Sequence, residues 1–351
     1  MLAAHTLFIR RIAQTHRRRL INVRNIKPSY FVKRIFSALL TLWIALTINF
    51  FLPRMMGGDP MDYIASQSAL GSLEYADLLR QQFGLDKSLF HQYISYFAQL
   101  FQGNMGISYS VFQVPVSQVI GQALPWTLLI VLTSTLISFA IAWVLGMLAA
   151  LKKGGVFDTV VVGASFYVQS MPYFFVAMLL LIWFGFELKW FPMSHAMPSG
   201  LGANVPWYMM VFYIAKHAFL PVLSLVVVGL AGRMVMMRSN ILQIFSEDYI
   251  TLAQAKGLKR GTILRKYALR NAMLPSFTGL MLSLGTAVGG AITTEMIYSY
   301  PGIGLTIMNA VLSQDYPLIM GCFSIIAISI VAANFLADLI YPFIDPRVSL
   351  S

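Results

Sequence analysis

The residues that could do chemistry in this chain gather in one stretch. Between two long apolar runs, Tyr249 to Pro275 forms a polar, basic island that carries Lys256, Lys259, Arg260, Arg265, Lys266 and Arg270. Glu247 and Asp248 stand at the start of a helical segment, where acidic side chains favour the positive end of the helix dipole. Ala253 and Ala255 flank the end of that segment, and side chains this small let a helix seat deeply in a groove on another protein. Gly257 then reads as a helix stop in left-handed conformation. A second helix, Thr262 to Ala272, carries Arg265, Lys266 and Arg270 and reaches Pro275, which opens the next apolar run through Arg270-Asn271-Ala272-x-x-Pro275. This is a set of groups for docking rather than for making or breaking bonds.

Other chemistries lack their residues. A phosphate-binding loop requires Gly-x-x-x-x-Gly-Lys-Ser/Thr, and the sequence contains no Gly-Lys pair. His5, His16, His91, His195 and His217 are scattered, with no metal-ligand spacing. No apolar run presents a serine or paired aspartates suited to intramembrane proteolysis, and the hydroxyls of Thr133-Ser134-Thr135 read as helix-packing groups. The single cysteine, Cys322, excludes an intrachain disulfide. No catalytic, metal or cofactor role is therefore assigned to any residue.

The elements that must position the island are membrane spans. The chain is 58% hydrophobic and 11% charged, with a mean hydropathy of +0.71, far from a soluble domain of this length. Apolar runs lie at Ile35–Pro53, Leu124–Leu151, Thr159–Phe186, His217–Gly232, Asn271–Thr294 and Tyr316–Ala337. A helix needs about 20 such residues to cross a bilayer, which predicts an all-α, polytopic protein with six transmembrane helices. With the N-terminus inside, 20 of the 25 Lys and Arg residues fall in cytoplasmic segments, so both termini and the island are expected there. The net charge of +12 then reads as topology and attraction to anionic headgroups of membrane lipid, not as nucleic-acid binding.

Residues 1–29 are rich in Arg, and no acidic residue precedes Asp59. A transit peptide fits that composition; a basic cytoplasmic extension, solvated or lying on headgroups as an amphipathic helix, is preferred. Residues 30–350 form the six-helix domain. Its outer loop, 53–123, is too long for a turn and too small for a separate core. Helical spacing at Glu74–Phe83 and Ser88–Phe101 predicts short helices against the outer membrane surface. Lys152-Lys153-Gly154-Gly155 predicts a tight inner turn. Pro172 lies within the third span and should kink it; the kink either widens a cavity or is absorbed by neighbouring helices. Arg233 and Arg238, at the inner end of the fourth span, are on different parts of its surface and can each snorkel toward headgroups. Gly285 and Gly289 place small residues four apart, allowing close helix contact. That contact is with a second subunit, with the pathway, or within the chain. Glu295 beside an apolar run must face water or a partner.

The pattern Ala253-x-Ala255-Lys256-Gly257, followed by Arg270-Asn271-Ala272-x-x-Pro275, resembles the cytoplasmic coupling loop (241–275) of ABC importer permeases of the dipeptide/oligopeptide/nickel family, first-permease type. Gly57-Gly58-Asp59-Pro60, Phe83-Gly84-Leu85-Asp86-Lys87, Gly103-x-x-Gly106-x-Ser108 and Leu124-Pro125-x-Thr127-Leu128 are similar to further landmarks of that family, in the same order. So are Glu295 with Tyr300-Pro301-Gly302-Ile303-Gly304, a short re-entrant helix leading to Asp315-Tyr316-Pro317, and Asn334, Asp338 and Asp345-Pro346-Arg347. The generic importer triplet Glu-Ala-Ala is replaced by Thr251-Leu252-Ala253, as is usual in this branch.

The resemblance implies the type I importer permease fold in a bacterial inner membrane. It further implies pairing with a second homologous permease, two separate ATPase subunits and an extracytoplasmic substrate-binding protein. Coupling to the ATPases would fall to Glu247, Asp248, Ala253, Ala255, Lys256, Gly257, Arg270 and Asn271. Pro172, Gly285, Gly289 and Glu295 are the pathway or gating candidates. The implied cargo is a di- or oligopeptide, with oligosaccharides or nickel chelates as alternatives. An ion-coupled secondary transporter would need ionisable groups near the bilayer midplane, and none is evident. The charge bias predicts that single cysteines near Ser88 and Ser199 react with an impermeant thiol reagent from outside, and those near Lys152, Arg260 and Ser351 only from inside. Labelling of the Arg260 region from outside would remove the coupling-loop reading.

Overall fold

The computed structural model describes residues 28–344, apart from 58, 68–72, 112–113 and 201–204. The expected extension is outside the described residues up to position 27, as is Asp345-Pro346-Arg347. Among the described residues there is no strand, only an isolated bridge between Ile107 and Pro115.

Four long apolar helices, α1 (Pro28–Arg54), α5 (Val116–Leu151), α8 (Trp207–Phe245) and α14 (Tyr316–Ile344), are long and apolar enough to cross a membrane. Two bent pairs complete the set. The first is α6 (Val156–Ser170) with α7 (Tyr173–Leu180), which a π-helical turn, Leu181–Glu187, prolongs. The second is α11 (Leu269–Gly285) with α12 (Ile292–Ile297), joined through a 3-10 turn at Ala287–Gly289. The pairs bend by 103° and 48°, and counting each as one span gives six. The helices outrun the apolar stretches that announce them: α8 is 39 residues long. Arg233 and Arg238 end the apolar run but carry no helix-breaking backbone preference, so the helix continues to Phe245.

At the centre α5 packs along α8. Gly146 lets the two backbones touch, since a Cβ there would stand 2.8 Å from the Met234 carbonyl oxygen and 3.1 Å from the Arg238 nitrogen. Close backbone approach is how helices associate in lipid, where the hydrophobic effect gives them no preference for each other. Arg238 does not snorkel. Its Nε and Nη2 grip the two carboxylate oxygens of buried Asp158 at 2.5 and 2.7 Å, and Asp158 Oδ2 also accepts the Gly154 amide at 2.9 Å. The turn between α5 and α6, with Gly154 at φ +77, is thereby fastened to α8.

The loop between α1 and α5 folds into α2 (Pro60–Gln67), α3 (Leu73–Gln82) and α4 (Leu89–Phe101). The last two match the helices predicted from spacing; α2 is an addition. Arg80 joins Asp59 at 2.8 Å, Asp62 at 2.7 Å and also Asp77. These carboxylates, Asp59 foremost, hold its guanidinium charge even more firmly than usual. Tyr93 and Tyr96 bond Thr47 of α1 and Ser324 of α14, so α4 leans on two spans while Phe90 and Phe101 stay exposed. Asp315, fully buried, accepts from Ser108 Oγ at 2.5 Å, Ser110 N and Oγ at 2.8 Å, and Leu318 N at 3.1 Å. It ties the loop between α1 and α5 to the start of α14.

Replacing Gly146 by Leu should overpack the α5–α8 contact at a cost of about 1–3 kcal/mol. Thermal unfolding in detergent should show a lower midpoint. Gly163→Ala, where a Cβ meets nothing within 4 Å, should leave the midpoint unchanged or slightly raised; equal midpoints for the two variants would mean that the close approach does not matter.

A docking helix and a central cavity

Within the predicted island, α9 (Asp248–Ala255) is an eight-residue helix and α10 (Arg260–Ile263) a single turn. Glu247 has extended backbone (φ −76, ψ 146) and its carbonyl accepts from Ile250 N at 3.0 Å and Thr251 N at 3.3 Å. Asp248 lies in the first turn, at the favourable end of the dipole. Lys256 and Gly257 close the helix: Gly257 takes φ +74 and donates to Gln254 O at 2.8 Å, and Leu258 N reaches Ala253 O at 3.4 Å. A Cβ on Gly257 would meet nothing within 4 Å, so the position calls for glycine through its backbone conformation and not through crowding.

The two faces of α9 differ. Ile250 and Ala253, three apart, are buried in one core cluster with Ala150 of α5, Met237 and Ile241 of α8, Ala268 just before α11 and Ala272 within it. Ala253, read from the sequence as a docking residue, is thus buried within the chain, whereas Ala255 is exposed. The exposed face carries Glu247, Asp248, Tyr249, Leu252, Ala255 and Lys256. Leu252, 58% exposed, is not part of the motif; it stands three positions from both Tyr249 and Ala255, on the same face. Asn271 donates through Nδ2 to the Tyr249 hydroxyl at 3.1 Å, bracing α9 against the start of α11. The side chain of Arg270 lies outside the described residues, as does that of Asp338.

The two bent spans meet at a cavity of about 360 Å³. Met171, preceding a proline, is held extended (φ −84, ψ 136), and Pro172 stands just before α7. The proline therefore separates two helices rather than kinking one. Tyr173, next in sequence, lines the cavity with Ser134 and Thr135 of α5, Arg233 of α8, and Ser283 and Thr286 at the break after α11. Its hydroxyl bonds Ser224 Oγ at 2.9 Å and Thr294 Oγ1, so one group links α7, α8 and α12.

Gly285 and Gly289 do not face the cavity. A Cβ on Gly285 would collide with Ala333 of α14, and one on Gly289 would stand 3.7 Å from Ile326; both serve packing within the chain. Glu295 is fully buried. It accepts from Thr127 Oγ1 at 2.8 Å and from Gly304 N and Leu305 N at 2.6 and 3.1 Å, at the N-terminus of α13 (Ile303–Leu312). Its partner is therefore a helix end. Gly302 and Gly304 are required by that approach, because a Cβ on either would run into the carboxylate or, for Gly304, also into Ile292. Among the described residues no group of His, Cys, Asp and Glu could hold a metal ion.

Sequence comparison gives the family. Residues 142–350 match the family described as binding-protein-dependent transport system inner membrane component, and residues 28–131 match its N-terminal region. A putative peptide permease of Brucella suis biovar 1 is 36% identical over 314 residues, covering 89% of this chain and 96% of the relative. The oligopeptide transport system permease AppB of Bacillus subtilis is 31% identical, covering 91% and 99%. The dipeptide transport system permease DppB of Escherichia coli K12 is also 31% identical, covering 91% and 98%. A multi-pass helical chain with the short helix α9 braced on its spans, matching this family over residues 28–131 and 142–350, belongs to the inner membrane permeases of the binding-protein-dependent transport systems.

Proposed function

We propose that this permease forms one half of the pore of an ATP-driven peptide importer. In this reading it pairs with a homologous second permease, receives substrate from an extracytoplasmic binding protein and is driven by two ATPase subunits on its cytoplasmic side. The peptide cargo rests on the relatives, which are peptide, dipeptide or oligopeptide permeases by name. The observation that carries the coupling is the division of α9 into two faces. Its exposed stripe of Tyr249, Leu252 and Ala255 offers an apolar seat with charged flanks, and its inner face is packed against α5, α8 and the entry to α11.

Closure of the ATPases would displace α9 as a lever. Because Ile250 and Ala253 share one buried cluster with the span ends, these ends move with it, and the Asp158–Arg238 grip carries α6 along. The spans then exchange an inward-open for an outward-open packing, a rigid-body switch whose two states are biased by nucleotide. Arg270 and Asn271 belong to the same coupling surface in this reading, Asn271 through its bond to Tyr249. Pro172 is assigned to gating because the break that it begins forms one wall of the cavity.

Two experiments test these statements. Gly257→Val forces a branched side chain into left-handed conformation, and Leu252→Asp puts a charge in the apolar seat. Each should lower ATP-dependent uptake at least about tenfold while the chain remains in the membrane, and Leu252→Asp should also reduce co-purification of the ATPase. Normal uptake and co-purification in both would make this face a bystander. For the energy source, uptake into vesicles should require ATP on the α9 side and loaded binding protein on the other, and the purified chain alone should hydrolyse no ATP. Uptake driven by a proton or sodium gradient without ATP would support a secondary transporter instead.

A further inference from the structure

Arg233 is the one charged residue lining the central cavity, and among the described residues no carboxylate pairs with it. It lies five positions, about 7.5 Å of helix, before Arg238, whose Asp158 partner accepts from the turn between α5 and α6. A guanidinium set among membrane spans is costly unless it faces water or a partner. Broken helices inside a bilayer are tolerated only where they are buried in protein or line a water-filled space. Both breaks, at Tyr173 and at Thr286 to Gly290, line this same cavity.

The chain holds the guanidinium in place without neutralising it. It donates to Ser138 Oγ and lies 4.3 Å from the centre of the Phe139 ring. Gly229, one turn earlier, keeps the space clear, since a Cβ there would stand 2.8 Å from Nη1. A guanidinium has five N–H donors, and the protein occupies one of its nitrogens. The facing hydroxyls are arranged in the opposite sense. Ser134 donates to Val131 O at 3.0 Å, Ser283 to Gly279 O at 2.8 Å and Thr286 to Leu282 O at 3.1 Å. Their protons are spent on their own helices, and their oxygen lone pairs remain to accept. The cavity therefore offers donors at one wall and acceptors at the others, in a volume within the range of about 300–1,000 Å³ typical of small-molecule sites.

We propose that Arg233 is a carboxylate-binding residue of the translocation pathway, taking the C-terminal carboxylate of a peptide while the hydroxyl walls accept its N–H groups. The proposal rests on the peptide-importer reading above. A single guanidinium in an open cavity suits a way station, which must attract its substrate and still release it.

The test uses the complete importer reconstituted in vesicles, with binding protein outside and ATP inside. It is given a mixture of di- to pentapeptides as free acids together with the same peptides as C-terminal amides. Accumulation of each form is read by mass spectrometry, and ATP hydrolysis is measured in the same vesicles. Arg233→Gln should lower uptake of the free acids about tenfold, the value of one charge-assisted hydrogen bond, with amide uptake and stimulated hydrolysis unchanged. Arg233→Lys should restore part of the acid uptake. Because the binding protein is the same throughout, its own preference cancels between variants. Unchanged acid uptake in Arg233→Gln would overturn the proposal, as would a parallel fall in amide uptake or in hydrolysis, which would mark a structural role. Absence of ATP-driven uptake by the unmodified importer would overturn the importer reading itself and the proposal with it.

Discussion

A helix interrupted inside a bilayer leaves backbone donors and acceptors that no water is there to satisfy. This chain interrupts two of its spans, and the way in which it meets that constraint organises the rest of the molecule. At the first break the extended Met171 and Pro172 leave the start of α7 beside Tyr173, whose hydroxyl crosses to Ser224 and Thr294. At the second, the backbone turns through Gly290 at φ +74, with Gly289 N donating to Thr286 O and Gly290 N to Ala287 O, and beyond α12 Glu295 and Thr127 take up the amides at the start of α13. Tyr173 joins the two breaks, because its hydroxyl bonds Thr294, on the same short helix as Glu295. The cavity is the space left on the open side of this joint.

On either side of the joint the chain is firmly fastened. The Asp315 and Arg80 networks fix the loop between α1 and α5 to itself and to α14, Asp315 collecting donors from Ser108, Ser110 and Leu318 and Arg80 bridging three carboxylates. At the other end Asp158, Arg238 and the cluster around Ile250 and Ala253 hold α6, α8, α9 and the entry to α11 together. In the proposed importer, stiff ends about a joint whose segments meet through side-chain hydroxyls would let a displacement at one end re-aim the interrupted spans. Small shifts are amplified because packed interfaces switch between discrete arrangements and do not deform continuously.

How much of this could be read from the sequence follows from the range of the interactions. The spans, the short helices at Glu74–Phe83 and Ser88–Phe101, the turn at Gly154 and the stop at Gly257 are local: runs of apolar residues, spacing of side chains and the conformational freedom of glycine decide them within a few positions. The partner of Arg238 lies 80 positions away at Asp158, and nothing in either neighbourhood announces the other. Glu295 could be recognised as a carboxylate needing a partner, but the partner is the far side of its own turn, Gly302 to Leu305, met by Thr127 from α5. Pro172 marked a disturbance in the third span; its size, 103°, goes with bonds from Tyr173 to Ser224 and Thr294, which lie 51 and 121 positions away. Arg233 passed as a headgroup anchor because the residues that make it a cavity wall come from four different helices.

The two alanines of α9 show why a motif can be right about a helix and still mislead about a face. Ala253 and Ala255 are two apart, which on an α-helix places them roughly 200° around the axis, so they cannot both point at one partner. The structure gives Ala253 to the chain itself, in a core cluster that includes Ala150, Ala268 and Ala272 among larger side chains. An alanine there leaves few rotamers to absorb a push, whereas a longer side chain would act as a cushion. Ala255 and Leu252 are left to the exposed side. The inner alanine therefore stiffens the connection to the spans, the outer residues shape the seat, and Gly257 ends the helix so that the chain can return through Leu258 into the same buried cluster. In the proposed importer, the pairing of a buried inner face with an apolar outer stripe would allow eight residues to pass a displacement on to the spans.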